Sequence, residues 1–251
     1  MRLFLILLSR EIKAFFYSPV AYVVMFCFLL LTGFNFYFMV TGLNNDPSDS
    51  TVMELFFNSI VFWILSLLCF PLITMRLFSE EYKLGTIESL MTAPVKDWQV
   101  VLSKYFGALF FYVILWVPSV FYFPIFDWIT KTHASYSAGS YLGSYTFMLL
   151  IGMFYISIGC LTSALTKNQI AAAIMSLVAI LLLFLSGLFA LLQPNVTPLV
   201  RDLIAYFSTI EHMANFSSGM FDTRPVVFYL SMTTVVLTVT YQVFQSRKWR
   251  M

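Results

Sequence analysis

Apolar runs decide the fold of this chain, and the clearest of them reads Ile170-Ala-Ala-Ala-Ile-Met-Ser-Leu-Val-Ala-Ile-Leu-Leu-Leu-Phe-Leu-Ser-Gly-Leu-Phe-Ala-Leu-Leu192. No charged side chain interrupts it. A helix that crosses the roughly 30 Å hydrocarbon layer of a membrane needs about 20 such residues, so this run predicts a spanning helix. Five other stretches have similar composition. The six predicted spans cover about residues 20–40, 54–76, 104–126, 141–165, 170–192 and 226–245.

The composition of the whole chain agrees with a membrane domain. Of the 251 residues 60% are hydrophobic and only 10% are charged, and the mean hydropathy is +0.86. This composition excludes a water-soluble globular fold. With a net charge of +2 and no strongly basic segment, the chain is also not expected to bind nucleic acid. We therefore predict an all-α integral membrane protein that forms one domain over residues 1–251 and whose main environment is the lipid bilayer.

The basic side chains predict the orientation of this domain. If the amino terminus is cytoplasmic, only Lys131, Arg201 and Arg224 of the 14 Lys and Arg residues fall on the opposite side. Basic residues near spans are retained on the cytoplasmic side of the membrane during insertion. Both termini are therefore predicted to be cytoplasmic. The cytoplasmic segments then hold Arg2, Arg10, Lys13, Arg76, Lys83, Lys96, Lys104, Lys167, Arg247, Lys248 and Arg250.

The first residues predict an amphipathic helix over about residues 2–17. Wound as a helix, they place Arg10 and Lys13 near one side, and Leu8 and Phe15 towards the other. Such a helix lies in the membrane interface, here on the inner leaflet. A simple positively charged flank for the first span would need only the charges. Pro19 marks the turn into the membrane.

A second amphipathic pattern lies between the fifth and sixth predicted spans, over about residues 199–217. Its apolar side chains recur at steps of three and four, among them Leu203, Tyr206, Ile210 and Met213. The pattern indicates a short helix that rests on or dips into the outer leaflet. A packing helix and a gate fit this pattern equally well.

The chain lacks the residue patterns that catalysis would need. None of its ten glycines is followed by lysine, so it contains no P-loop for ATP. Its two histidines, His133 and His212, are far apart, and no charged residue lies near the middle of a predicted span. Ion-coupled carriers normally place such residues there. We therefore predict no catalytic residue, no metal site and no cofactor site, and no enzymatic activity in this chain.

The segment between the second and third spans is the most informative, and it reads Pro71-Leu-Ile-Thr-Met-Arg-Leu-Phe-Ser-Glu-Glu-Tyr-Lys-Leu-Gly-Thr-Ile-Glu-Ser-Leu-Met-Thr-Ala-Pro94. Gly85 permits a tight turn, and Thr86 caps a helix predicted over about residues 86–92, with Glu88 near its positive end. Three apolar side chains form a knob on this helix: Ile87, Leu90 and Met91. A projecting capped helix is typical of a docking element, although a loop packed on its own spans also fits.

Part of this segment, Thr74-Met-Arg-x-Phe-x-Glu-Glu-x-Lys-x-Gly-Thr-Ile-Glu-x-Leu-x-Thr-x-Pro94, resembles the hallmark of type-2 ABC exporter permeases. The similarity is to the branch of gliding-motility and nitrous-oxide-reductase maturation permeases. Two other stretches are similar to the same branch. They are Ser163-Ala-Leu-Thr-Lys-Asn-Gln-Ile170, and Ser218-Gly-Met-Phe-Asp-Thr-Arg-Pro-Val-Val-Phe-Tyr-Leu-Ser231 with the tail Arg247-Lys-Trp-Arg250. The resemblance covers the whole chain in order.

The resemblance implies a fold, partners and contact residues. It implies an amino-terminal elbow helix, six spans and a cytoplasmic coupling helix in a bacterial inner membrane. It also implies a second copy of the chain or a related permease, and two separate ATPase subunits that bind ATP and magnesium. Residues implied to contact the ATPase are Glu80, Glu81, Lys83, Gly85, Thr86, Ile87, Glu88, Leu90 and Met91 in the first inner loop and Thr166, Lys167, Asn168 and Gln169 in the second.

Two functions of different classes remain compatible with this resemblance. In the first, partner ATPases close on ATP, pull on residues 86–92 and rearrange the spans so that a substrate is exported. In the second, the complex is a mechanical or assembly device that acts on a membrane-anchored periplasmic-domain protein without moving a solute. An intramembrane enzyme is disfavoured because the spans hold no candidate catalytic groups.

Overall fold

The fold is described by a computed structural model that covers residues 2–45, 50–87, 95–131, 136–192 and 206–248. These residues are almost entirely helical, and no strand occurs among them. The helices are α1 Arg2–Tyr17, α2 Pro19–Asn45, α3 Val52–Asn58, α4 Ile60–Thr74, α5 Ser79–Leu84, α6 Asp97–Val120, α7 Tyr122–Thr130, α8 Ala138–Leu165, α9 Gln169–Leu192, α10 Thr209–Ser217 and α11 Thr223–Lys248.

Five helical stretches among the described residues are long and apolar enough to cross a membrane. They are Pro19–Asn44, Ile60–Leu84, Asp97–Thr130, Ala138–Leu165 and Thr223–Arg247, and Gln169–Leu185 is a shorter apolar helix. The prediction of an all-helical, multi-pass membrane protein is confirmed. α9 as a whole extends to Leu192, where the fifth predicted span ends.

The second predicted span, over residues 54–76, is divided in two by the structure. Thr51 and Glu54 form a reciprocal capping box that starts α3. At Ser59 the backbone becomes extended, and the hydroxyl of Ser59 accepts a hydrogen bond from the Phe62 N–H to start α4. α4 is therefore a new helix with its own cap, because Ser59 satisfies amides that would otherwise be unpaired.

α8 is the centre of the bundle. Most of its side chains are buried, and it packs against α4, α6, α9, α10 and α11. Two glycines allow the closest approaches: a Cβ atom on Gly152 would lie 2.2 Å from the Tyr112 ring, and one on Gly159 would lie 2.1 Å from the Thr74 hydroxyl. Small residues at helix interfaces in membranes permit such dense packing.

The two ends of the bundle differ, and we name them after the short helices that lie there. At the α10 end, Asn58 donates a hydrogen bond to Ser217 over 3.0 Å, and Gly187 of α9 lies beside Ser208. At the α5 end, α8 finishes at Leu165, whose carbonyl oxygen accepts a hydrogen bond from Arg247 of α11. α4, α6, α8, α9 and α11 therefore all run between these two ends.

α10 is packed into the bundle. Its buried residues include Thr209, Met213 and Phe216, and it contacts α3, α8 and α9. The hydroxyl groups of Tyr155 and Thr209 lie 3.2 Å apart. The amphipathic pattern predicted over residues 199–217 thus ends in a helix that fills the core, and residues 193–205 lie outside the described part of the chain.

Candidate functional site

α5 is a short helix whose start is capped by another helix. Ser79–Leu84 follows α4 after a turn formed by Met75 to Phe78, and Phe78 provides no side-chain cap. Instead, the Ser163 hydroxyl of α8 accepts hydrogen bonds from the N–H groups of Phe78 and Ser79, at 3.0 and 3.2 Å. The same hydroxyl donates to the carbonyl oxygen of Met75. Ser163 thus satisfies amides that a helix start leaves unpaired, and it fixes α5 on α8.

The far end of α5 is a left-handed turn at Gly85, where φ is +72°. Glycine adopts this conformation without the steric cost that a Cβ atom brings, which explains why the helix ends there. Glu80 and Glu81 lie in the first turn and Lys83 in the last, so each charge is favoured by the helix dipole. The local sequence therefore explains the end of α5 and the order of its charges, whereas the start of α5 depends on Ser163.

A network of four charges joins α5 to α1 and α6. Glu81 accepts a hydrogen bond from Arg10 of α1 and forms an ion pair with Lys104 of α6, each at 3.0 Å. Glu11 of α1 pairs with the same two cations, at 2.7 Å from Arg10 and 3.4 Å from Lys104. The two carboxylates and two cations balance to zero net charge. Three helices that are distant in sequence are thereby held by one alternating ring of charges.

Burial makes this network energetically important. The side chain of Lys104 is 2% exposed and that of Glu11 is 9% exposed, whereas Arg10 is 49% exposed. A buried charge that loses its partner costs about 3–5 kcal/mol, far more than an exposed pair contributes. Burial alone would lower the pKa of Arg10, but its hydrogen bond and charge interactions with Glu11 and then Glu81 raise that pKa above its ordinary value.

Aromatic contacts connect α5 to α11 as well. The Arg247 guanidinium lies 4.5 Å from the centre of the Tyr82 ring, within the range of a cation–π interaction. Arg247 also donates to the carbonyl oxygen of Leu165, and the rings of Phe78 and Phe244 are 5.8 Å apart. Through these side chains α5 contacts α1, α6, α8 and α11, and it also packs against α9.

The structure brings only some of the predicted contact residues together. Glu81 belongs to the charge network, and Glu80 is half-buried beside it without an ion pair to any described residue. Lys83, Gly85 and Thr86 are exposed, so three neighbouring residues of the segment face away from the bundle. Ile87, predicted as part of an apolar knob, is instead buried with 1% exposure. The remaining three, Glu88, Leu90 and Met91, and with them most of the helix predicted over residues 86–92, lie outside the described residues.

The second predicted contact segment is a tight turn between α8 and α9. The Thr166 hydroxyl accepts a hydrogen bond from the Asn168 N–H, and the Asn168 side chain accepts one from the Ile170 N–H. Lys167 is exposed beside them, and Gln169 begins α9. This turn lies at the α5 end, because Ser163 and Leu165 just before it contact α5 and α11.

The residues of this site that sequence reasoning missed include Arg10, Glu11, Lys104 and Ser163. A signal for Glu11 was present, since it lies four residues from both Leu7 and Phe15 and thus on the apolar side of α1. A carboxylate on such a side needs a partner there. Nothing in the sequence identified that partner, which is 93 positions away.

The charges at the α5 end are arranged for holding helices together. Among the described residues, no group of three or more His, Cys, Asp or Glu side chains could bind a metal ion.

The family model of the ABC-2 family transporter proteins matches residues 41–241. The chain belongs to this family. No curated protein matches its sequence.

Membership of the ABC-2 family settles the general role of the chain. Members are the membrane permease components of ABC transporters. These permease components are non-catalytic and work with an ABC ATPase. The matched residues include the whole of α3 to α10, whereas α1 precedes the matched range. The charge network thus ties a helix outside the matched range to two helices inside it.

Proposed function

We propose that this permease is the membrane subunit of a type-2 ABC exporter of the gliding-motility and nitrous-oxide-reductase maturation branch. It acts in a bacterial inner membrane as a dimer with a second copy or a related permease. Two separate cytoplasmic ATPases bind ATP and magnesium and drive it. The observation that carries the proposal is the position of α5, which joins the segment predicted to meet the ATPase to α1, α6, α8 and α11 of the permease.

A six-span topology with both termini in the cytoplasm is part of the proposal. α1 and the end of α11 both lie at the α5 end, through the contacts Arg10–Glu81 and Arg247–Tyr82. A chain that starts and finishes on one side of a membrane crosses it an even number of times. Five stretches qualify by length and composition, so α9 supplies the sixth crossing. Its 24 residues reach about 36 Å, which exceeds the roughly 30 Å hydrocarbon layer.

The α5 end faces the cytoplasm in this topology. Four cations among the described residues, Arg10, Lys83, Lys104 and Arg247, lie at this end, in agreement with the retention of basic residues on the cytoplasmic side. α1 is then the elbow helix on the inner leaflet. Its exposed side chains Leu3, Leu5 and Ile6 contact lipid.

Motion is transmitted through α5 by three kinds of contact. Closure of the ATPases displaces the segment after Gly85. Glu81 carries that displacement to α1 and α6, the Ser163 cap carries it to α8, and the Tyr82–Arg247 contact carries it to α11. Since α8 is the central helix, its displacement rearranges the helices that pack on it and opens a path at the α10 end.

The experiment uses the full complex in lipid nanodiscs, with a spin label on each permease at Met220, which is exposed at the α10 end. Glu81→Gln removes the charge that both cations share but keeps the size of the side chain. We expect this variant to retain its ATPase and to lose at least half of the ATP-dependent change in label distance. Lys13→Gln is the matched control, because Lys13 is an exposed cation of α1 with no ion pair to a described residue.

Two outcomes would contradict the proposal. If no ABC ATPase co-purifies with the tagged wild-type permease, the assignment of the α5 end fails. If Glu81→Gln shows the full distance change, α5 does not transmit motion through the charge network. Co-purification of a periplasmic-domain protein together with the ATPase would instead favour the mechanical or assembly function over export.

A further inference from the structure

A cavity of about 410 Å³ lies beside the charge network, between α1, α2, α4, α5 and α6. Its volume falls in the range of about 300–1,000 Å³ that small-molecule sites occupy. One part of its wall is charged, with Arg76 and Glu80 next to Glu81 and Lys104. The rest is mainly apolar and includes Val20, Val24, Leu72, Ile73, Leu77 and Phe111.

Two polar atoms in this wall are buried without a hydrogen-bond partner. They are Nε of Arg76, a donor, and Oε2 of Glu81, an acceptor. Arg76 donates one hydrogen bond through Nη1 to the Ser18 hydroxyl, and it forms no ion pair with any described residue. Leaving a buried polar atom unpaired costs about 1–3 kcal/mol, and more for charged groups. Both atoms are enclosed by protein, so a ligand in the cavity meets the half-buried side chains of Arg76 and Glu80 through their other polar atoms.

The charge balance of the wall indicates the kind of ligand that fits the cavity. Arg10, Glu11, Glu81 and Lys104 neutralise one another in the network. This leaves one cation and one anion in the wall, Arg76 and Glu80, neither paired with a described residue. A group with one negative and one positive charge fits this pair, and guanidinium is a preferred partner of phosphate.

The apolar part of the wall leads out of the bundle. Val20 and Leu72 line the cavity, yet they are 37% and 42% exposed, and they therefore also belong to the surface that faces lipid. A ligand can enter from the bilayer with its polar head against Arg76 and Glu80 and its hydrocarbon between α2 and α4. A free phosphate ion would leave this apolar surface uncovered.

We infer that this cavity binds one amine-bearing zwitterionic phospholipid from the membrane leaflet at the α5 end. The phosphate accepts hydrogen bonds from Arg76, and the ammonium donates to Glu80. The lipid fills the space between α1 and α2 on one side and α4 and α5 on the other. It thereby stabilises the position of α1 relative to α5.

The inference is tested by native mass spectrometry of the full-length permease, titrated with phosphatidylethanolamine, phosphatidylcholine or phosphatidylglycerol. Phosphatidylcholine keeps the positive charge but has no N–H donor, and phosphatidylglycerol has no positive charge. We expect phosphatidylethanolamine to bind at least about tenfold more tightly than either, because one charge-assisted hydrogen bond contributes about 1.5–3 kcal/mol. The assay contains no ATPase, so its failure and that of the proposed function are distinguishable.

Variants assign the two contacts. Arg76→Gln is expected to weaken all three phospholipids by at least about tenfold. Glu80→Gln is expected to weaken phosphatidylethanolamine most, phosphatidylcholine less because it loses only the charge attraction, and phosphatidylglycerol not at all. Lys13→Gln controls for general attraction of lipid to basic residues at the interface. Arg76→Lys, which keeps the charge, is expected to restore part of the binding, and this shows that Arg76→Gln has not simply misfolded.

Three results would overturn the inference. Equal binding of the three phospholipids would show that the head group is not recognised. Equal losses in Arg76→Gln and Lys13→Gln would show a non-specific surface effect. If millimolar inorganic phosphate displaced the lipid from the wild-type protein but not from Arg76→Gln, the site would be one for a free anion.

Discussion

Lys104→Met is the most informative single perturbation of this permease. Lys104 has 1% of its surface exposed and pairs with Glu11 at 3.4 Å and Glu81 at 3.0 Å. Methionine has a similar size, so the variant removes the charge with little change in packing. The network then carries a net charge of −1, and Arg10, which is half-exposed, is the remaining described partner of both carboxylates.

The expected loss of stability follows from the burial of these groups. Removing one partner of a buried ion pair costs about 3–5 kcal/mol. Since Arg10 still neutralises part of the charge and Glu81 is 19% exposed, we expect a value near the low end, about 3 kcal/mol. Equilibrium unfolding of the full-length protein in mixed micelles measures this difference, and Lys13→Met is the matched control.

A double variant separates charge balance from packing. Adding Glu11→Gln to Lys104→Met leaves Arg10 and Glu81, which neutralise each other. The double variant is therefore expected to be more stable than the sum of the two single losses by about 1–3 kcal/mol. Simple additivity, or a loss below about 0.5 kcal/mol for Lys104→Met alone, would refute the network as a stabilising unit.

Three further predictions concern the rest of the bundle. Gly143→Ala is expected to cost about 3 kcal/mol or more in unfolding assays, because a Cβ atom there would lie 2.2 Å from the backbone oxygen of Phe216, which cannot move aside. Ser163→Ala should cost about 1–3 kcal/mol, since two N–H groups at the start of α5 lose their acceptor, and Ser163→Thr should cost less. Burial lowers the pKa of His212 from its ordinary value of 6.5. The stability that its neutral form provides is therefore present above pH 6.5 and is lost as the pH falls below that value. His212→Gln should reduce the fall in melting temperature between pH 7 and pH 5.

The sequence was sufficient for features that depend on local patterns. The long apolar runs predict the spanning helices because a membrane admits few other structures. The alternation of charged and apolar residues predicts a helix near the amino terminus, where the structure has α1 over Arg2–Tyr17, and the interfacial position of this helix stays a prediction. The pattern Thr51-x-x-Glu54 also carries a readable start signal for α3, which the prediction of one span over residues 54–76 overlooked.

Features that depend on contacts between distant residues could not be predicted. The partners Glu11 and Lys104 are separated by 93 positions, and Ser163 caps a helix that begins 84 positions before it. A single sequence gives the face on which a polar residue lies, but not the neighbour that it meets. The candidate site consists of such contacts between distant residues. Of its four network charges, only Glu81 was predicted to belong to it.

The network limits how the permease can move in the proposed mechanism. If α5 moved alone, both contacts of Glu81 would break, and Lys104 would lose one of its two buried partners. Breaking these ion pairs would cost about 3 kcal/mol or more. Moving α1 within the lipid interface would cost less, because its exposed side chains Leu3, Leu5 and Ile6 exchange one apolar contact for another. Displacement of α5 therefore carries α1 and the start of α6 with it. The three helices move as one body, and the hinge lies where α1 ends, at Ser18 and Pro19 between the elbow helix and the first span.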